Sequence, residues 1–168
     1  IVFGDWSSDV CSSDLERDGY FVLNNSRVIQ LKDGRLLMSV ALHKSPGDTV
    51  FASMGRIWSY YSDDNGRNWK VSREVPNPDS IILQEPGLTE LKSGEIMMYM
   101  RTMSGVQYLS YSADKGQTWS PAEKSNILSP CSPASITRIP SSGNLLLVWN
   151  ENGRSEERRV GKECRSRW

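Results

Sequence analysis

The sequence predicts an all-β chain assembled from repeated four-stranded units, and three observations carry that expectation. Three stretches superimpose: residues 27–38 read RVIQLKDGRLLM, residues 87–98 read GLTELKSGEIMM and residues 136–147 read ITRIPSSGNLLL. Two shorter segments match more strictly, SDDNGRNW at 62–69 and SADKGQTW at 112–119, and they lie 50 residues apart. Each follows an aromatic-rich run, RIWSYY or VQYLSY, with the composition of a strand. Hairpin, strand, turn segment and further strand thus recur in about 50 residues, the period of a propeller blade.

The hairpins come first. In each of the three stretches two apolar or alternating runs flank a polar turn centred on Gly34, Gly94 or Gly143. Asp33-Gly34 and the two Ser-Gly pairs supply the positive-φ chemistry that a tight reversal needs. The third strand of each unit leads into S-x-D-x-G-x-x-W. There Ser62 and Asp64 are short acceptors for backbone N–H groups, Gly66 takes the left-handed position, and Trp69 folds back as an apolar cover. Ser112, Asp114, Gly116 and Trp119 repeat the arrangement. All eight residues read as structural. The aromatics Trp58, Tyr60, Tyr99, Tyr108, Tyr111 and Trp149 are expected to pack between sheets, and Met97, Met98, Met100 and Met103 to fill the core.

The chain has 168 residues, 20 basic and 20 acidic, with 38% hydrophobic content. Balanced charge gives no sign of a nucleic-acid partner, and no apolar run approaches the roughly 18 residues of a membrane span. Both ends break the pattern. Residues 5–15 read DWSSDVCSSDL and residues 154–168 read RSEERRVGKECRSRW, without hydrophobic periodicity. Cys11 to Leu15 can be encoded by TGCTCTTCCGATCT and Arg154 to Glu157 by AGATCGGAAGAG, which contain reverse complements of one another. The expected organisation is therefore an adapter-derived segment at 1–15, the genuine core at 16–153, and a second adapter-derived segment at 154–168. Removing both ends leaves Cys131 as the one cysteine, so disulfide and metal-cluster readings lapse.

Strand polarity sorts the ends of each unit. If residues 86–92 descend and 95–101 return about Ser93-Gly94, Glu85 stands opposite Arg101 at the end away from the S-x-D-x-G-x-x-W turns. By the same count Asn24 and Asn25 face Leu42 and His43, and Ser135 faces Asn150. One rim collects polar residues from three neighbouring units, a sensible place for a ligand. On the residues alone, the favoured reading of Glu85 and Arg101 is a cross-strand ion pair, worth little if exposed.

S-x-D-x-G-x-x-W resembles the Asp box of sialidases and related BNR-repeat proteins, whose fold is a six-bladed β-propeller. The resemblance covers roughly residues 19–153 and implies between two and three blades, too few to close a ring. It also implies roles. In QEPGLTELKSGEIMMYMRT, Glu85 and Arg101 stand where that family carries a Glu that draws the proton from a tyrosine nucleophile and one of three arginines that grip the sialic acid carboxylate. The residue types suit the chemistry: a guanidinium fork binds a carboxylate bidentately, and a phenol of pKa about 10 needs a base beside it. The nucleophilic Tyr and the third Arg would lie beyond residue 153.

The chain also departs from the family pattern. Arg27 in NNSRVIQL is the nearest match to the first arginine of the triad, but it lacks the accompanying proline. SVALHKS at 39–45 offers no carboxylate where an Asp acid/base is expected, and His43 stands there instead, as a proton donor or a packing residue. Asn24 and Asn25 could hydrogen-bond sugar hydroxyls or cap the strand entrance. Expected catalytic residues are Glu85 and His43; expected substrate-binding residues are Arg101, Arg27, Asn24 and Asn25. The resemblance implies a sialidase-like glycoside hydrolase for terminal sialic acid or a related acidic sugar. It would act on sialoglycoconjugates without metal or other cofactor, from a secreted or periplasmic location. Rival readings are a propeller hydrolase or lyase for another sugar, and a non-catalytic glycan-binding propeller.

Overall fold

A computed structural model describes residues 18–24 and 27–150. The two expected adapter-derived segments, 1–15 and 154–168, and Asn25 lie outside the described residues.

Among the described residues, eleven strands follow in chain order: β1 (Tyr20–Val22), β2 (Val28–Gln30), β3 (Leu36–Lys44), β4 (Arg56–Ser62), β5 (Lys70–Val71), β6 (Leu83–Glu90), β7 (Ile96–Thr102), β8 (Val106–Ser112), β9 (Glu123–Leu128), β10 (Ser135–Arg138) and β11 (Leu145–Val148). They form three antiparallel sheets. In the first, β3 carries both β1 and β2 on one edge and β4 on the other, with β5 outside β4. The second is a meander, β6-β7-β8-β9, and the third is the hairpin β10-β11. The expected unit of hairpin, strand, box and outer strand is present in the second sheet. The three turn glycines have φ of 96° at Gly34, 88° at Gly94 and 67° at Gly143, as a reversal at those points requires.

The run IMMYM at 96–100 is apolar throughout because β7 is covered on both faces. Ile96, Met98 and Met100 pack with Leu37, Ala41 and Ile57 of the first sheet. Met97 and Tyr99 point the other way, to Ala134, Ile136, Leu147 and Trp149 of the third. Trp58 and Tyr60 share a separate cluster with Val40 and Leu42 on the far face of the first sheet. Of the expected inter-sheet aromatics, Tyr99, Tyr108, Tyr111 and Trp149 lie in clusters that join sheets, whereas Trp58 and Tyr60 pack with residues of the first sheet alone; Met103 is 65% exposed in the turn after β7 and is not a core filler.

Both boxes close as their chemistry dictates. The Ser62 hydroxyl accepts from Gly66 N–H at 2.8 Å and donates to Asp64 Oδ1 at 2.8 Å, and Asp64 accepts from the Asn68 backbone at 2.9 Å. In the second box Ser112 accepts from Gly116 N–H at 2.8 Å, and Asp114 accepts from Gln117 and Thr118 N–H at 3.0 and 2.9 Å. Asn65 and Lys115 join the two glycines at positive φ, 59° and 60°, so each box contains a left-handed pair. Hydrogen bonds from the Asn68 side chain, the Asn68 backbone and Ser62 hold the Asp64 carboxyl at about 2. Burial alone would raise Asp114, but the Thr118 hydroxyl and N–H, Ser112 and Gln117 outweigh it and hold that carboxyl at about 2 as well.

The second box also fastens one sheet to the next. Ser59 of β4 donates to Gly116 O at 2.8 Å and accepts from Trp119 Nε1 at 3.1 Å. Gly116 lies so close to the first sheet that a Cβ there would stand 2.6 Å from Leu37.

Candidate functional site

Pairing registers place the rim. Ile96 pairs with Glu90 on one side and with Ser112 on the other, so the box lies at the Ser93-Gly94 end of the sheet. Glu85 and Arg101 are at the opposite end, as expected. Three details of the expected register are corrected. Arg101 pairs with Gln84 rather than Glu85, because the ladder slips between Gln84 and Gly87. Pro86 has no N–H for the ladder, and its carbonyl is turned aside to accept from Ser39 of β3 at 2.8 Å. Leu42 pairs with Phe21 rather than Asn24, and Ala41 with Val22, while Val28 pairs with Met38, so β1 and β2 meet β3 in registers that one unbroken count does not join. Asn24 therefore does not face Leu42. Ser135 pairs with Val148, not Asn150, since the turn between Arg138 and Leu145 fixes a register two residues shorter.

The bulge aims Glu85 back across the mouth. Its φ is 46°, a left-handed value unusual for a residue with a side chain. Its Oε2 lies 2.9 Å from Arg101 Nη1, with both side chains about three-quarters buried. That oxygen is itself buried and receives no well-directed hydrogen bond. The other edge of the Arg101 fork, Nε and Nη2, lies 3.2 and 3.0 Å from the Cys131 sulfur. Burial would lower the Arg101 guanidinium, but Glu85 and Cys131 beside it raise it above its ordinary value.

Arg27 reaches the same region from the first sheet and is buried. Nη1 donates to the Tyr99 hydroxyl and Nη2 to Ala134 O, each at 2.7 Å. Tyr99 is two residues before Arg101 on β7, so both side chains leave the strand on one face. The two guanidiniums thus converge on the segment 131–134. Their side chains come from different sheets, and Glu85 pairs with Arg101 alone, while Arg27 has no ion-pair partner among the described residues.

His43 is placed differently. Its ring is buried, donates Nδ1–H to Ala52 O at 2.7 Å and stacks on Phe51 with centroids 4.7 Å apart. Among the described residues no hydrogen bond or ion pair links it to Arg27, Glu85 or Arg101. The loop it holds does touch the rim, since Gln84 Nε2 donates to Ser53 O at 2.7 Å.

Comparison with known proteins now has a geometry to meet. A BNR repeat-like domain model matches residues 6–163. The chain belongs to that family. Its match extends past both edges of the 16–153 core. Among curated relatives, the sialidase of Vibrio cholerae serotype O1 is 33% identical across 58% of this chain and 16% of its own length. Human Sialidase-4 is 28% identical across 62% of the chain and 22% of its own. The chain therefore spans only about a sixth to a fifth of these relatives. Among solved structures, an intramolecular trans-sialidase from Ruminococcus gnavus, in complex with oseltamivir carboxylate, superimposes with a TM-score of 0.59. It is 25% identical, over 80% of this chain and 28% of that one. A leech intramolecular trans-sialidase, 23% identical, shares the fold with a TM-score of 0.57 over 76% of this chain and 19% of its own. This BNR repeat-like chain is thus related to the sialidase superfamily, with an all-β structure that resembles part of a β-propeller.

Sequence reasoning missed four residues of the rim. Tyr99 read as packing and proves to bond Arg27. Gly87 read as part of a hairpin, yet a Cβ there would stand 2.0 Å from Arg27 Nη1. Ser39 and Cys131 carried no motif. The visible signal was the Pro-Gly pair after Glu85, which marks a break in a strand. Among the described residues no cluster of His, Cys, Asp and Glu could hold a metal ion, and no helix is long and apolar enough to cross a membrane.

Proposed function

We propose that the full-length protein is a sialidase-like glycoside hydrolase acting on terminal sialic acid or a related acidic sugar, with the rim of Glu85, Arg101 and Arg27 as part of its active site. The observation that carries this is Glu85: a bulged residue at positive φ whose buried Oε2 faces Arg101 without a directed hydrogen bond. A hairpin-mouth ion pair made only for stability needs no such conformation, which costs on the order of 1–3 kcal/mol. The resemblance of the Asp boxes to those of sialidases implies a tyrosine nucleophile in later blades. Glu85 would remove its proton, since a phenol of pKa about 10 is otherwise a poor nucleophile at neutral pH.

Arg101 is paired with the carboxylate of Glu85, and Arg27 brings a second positive charge with no counter-charge among the described residues. The net charge favours an anion, and a guanidinium fork suits a carboxylate. A ligand carboxylate would take the Nε/Nη2 edge of Arg101 from Cys131, whose sulfur is a weak acceptor. Asn24, just after β1, would offer its amide to sugar hydroxyls. Hydrolysis of a fluorogenic sialoside by full-length wild type, Glu85→Gln and Arg101→Ala tests the reading. Glu85→Gln should lose roughly 10²–10⁴ in kcat, the usual worth of a general base. Wild-type rates in both variants would end it.

A non-catalytic glycan-binding propeller is the second reading, favoured by one observation. His43, the residue in place of the expected Asp, has Nδ1 committed to Ala52 and no link to Glu85 or the arginines. Sialoside binding without turnover by the full-length protein would select that reading; a loss of turnover in His43→Ala with binding intact would exclude it.

A further inference from the structure

We infer that Tyr99 is a positioning residue that holds Arg27 for an anionic ligand without neutralising it. The inference rests on the reading of this rim as an anion-binding site and adds a residue to it.

Arg27 is a cation carried from one sheet to the far side of the next and 8% exposed. A buried charge normally has a counter-charge, because desolvating it alone costs several kcal/mol. Among the described residues Arg27 has none: no ion pair includes it, and its partners are the Tyr99 hydroxyl and the Ala134 carbonyl. The Tyr99 ring adds a face, with the guanidinium carbon 5.2 Å from its centroid. These groups fix direction but leave the positive charge whole. A carboxylate in the place of Tyr99 would fix Arg27 equally well and cancel the field that a ligand carboxylate must feel.

The hydroxyl is itself fixed by more than one sheet. It accepts from Arg27 of the first sheet and from the Ile136 N–H of the third at 3.1 Å, while its own strand lies in the second. Passage for the guanidinium depends on Gly87, where any side chain would collide with Arg27 and with Tyr99 at 2.4 Å. Tyr99 is therefore a joint between three sheets whose free end touches a functional candidate. A purely structural tyrosine at this point would satisfy Ile136 and have no need of an arginine.

The test uses the full-length protein and two probes, sialic acid and its methyl ester, which lacks the carboxylate charge. Calorimetric titration should show Tyr99→Phe binding sialic acid about tenfold more weakly, the scale of one lost hydrogen bond to a charged group. The methyl ester should bind Tyr99→Phe and wild type alike. In an Arg27→Ala background the same substitution should add nothing. Unchanged sialic acid affinity in Tyr99→Phe, or a loss that adds in full to that of Arg27→Ala, would overturn the inference. If Arg101→Ala and Arg27→Ala also leave sialic acid binding unchanged, the reading of the rim falls instead. Should Tyr99→Phe not fold, 3-fluorotyrosine at position 99 keeps ring and hydroxyl with a weaker acceptor. A loss of two- to threefold for sialic acid alone is then expected, and no loss overturns the inference.

Discussion

Gly87→Ala perturbs the rim by a single methyl group, and the structure says where it goes. The new carbon would lie 2.0 Å from Arg27 Nη1, 2.4 Å from Tyr99 Cζ and 2.5 Å from the Tyr99 hydroxyl, all well inside van der Waals contact. The tyrosine ring cannot retreat easily, since it is 3% exposed and packed against Ala134 and Met97. Arg27 must therefore move and lose its bond to Tyr99. Overpacking costs about 1–3 kcal/mol, and a hydrogen bond to a charged group contributes about 1.5–3 kcal/mol. A total loss of roughly 2.5–6 kcal/mol follows, comparable to a large core truncation. Equilibrium urea unfolding of the full-length protein reads the loss as a lower midpoint at unchanged slope. Circular dichroism should show the same strand content. A variant as stable as wild type, within about 0.5 kcal/mol, would refute the threading of Arg27 past β6.

Ser59→Ala removes the acceptor of the buried Trp119 Nε1 and the donor to Gly116 O, and should cost about 1–3 kcal/mol with no effect on sialoside binding, measured by the same unfolding and by titration. The boxes predict an acid limb. Asp64 and Asp114 have folded pKa values of about 2, below the unfolded value, so their contribution is complete above about pH 4 and is lost as pH falls towards 2. Asp114→Asn should be less stable than wild type at pH 7 and show a shallower decline between pH 4 and 2 in thermal unfolding. Arg101→Ala should raise KM for a fluorogenic sialoside by one to two orders of magnitude, roughly 1.4–3 kcal/mol of binding.

The boxes and hairpins were legible because turn chemistry is local. A serine, an aspartate and a glycine within five residues can satisfy one another whatever surrounds them, and the structure shows them doing so. The blade period was legible for the same reason, since each unit repeats its own turns. Registers at the open ends of the hairpins were not. Counting outward from Gly34, Gly94 and Gly143 assumes an unbroken ladder, and the bulge at Pro86 and the change of register between β1 and β2 break it. The correction matters at Glu85, where the break turns an ordinary cross-strand neighbour into a bulged, buried carboxylate. Contacts across sheets were the least legible. Nothing in the sequence near Arg27 announces Tyr99, 72 residues away, and only the glycine at 87 records the close approach. Met103 failed as a core residue because the turn after β7 carries it out of the strand alternation that buries its neighbours.

The central claim is that the rim opposite the Asp boxes seats a ligand carboxylate on Arg101 and Arg27 beside Glu85. A crystal structure of the full-length protein with sialic acid bound tests it directly. The account predicts the carboxylate within 2.7–3.0 Å of the Nε/Nη2 edge of Arg101, with the Cys131 sulfur displaced and Arg27 still bonded to Tyr99. A sugar bound at the box end of the sheets, or one whose carboxylate meets neither arginine, would contradict it.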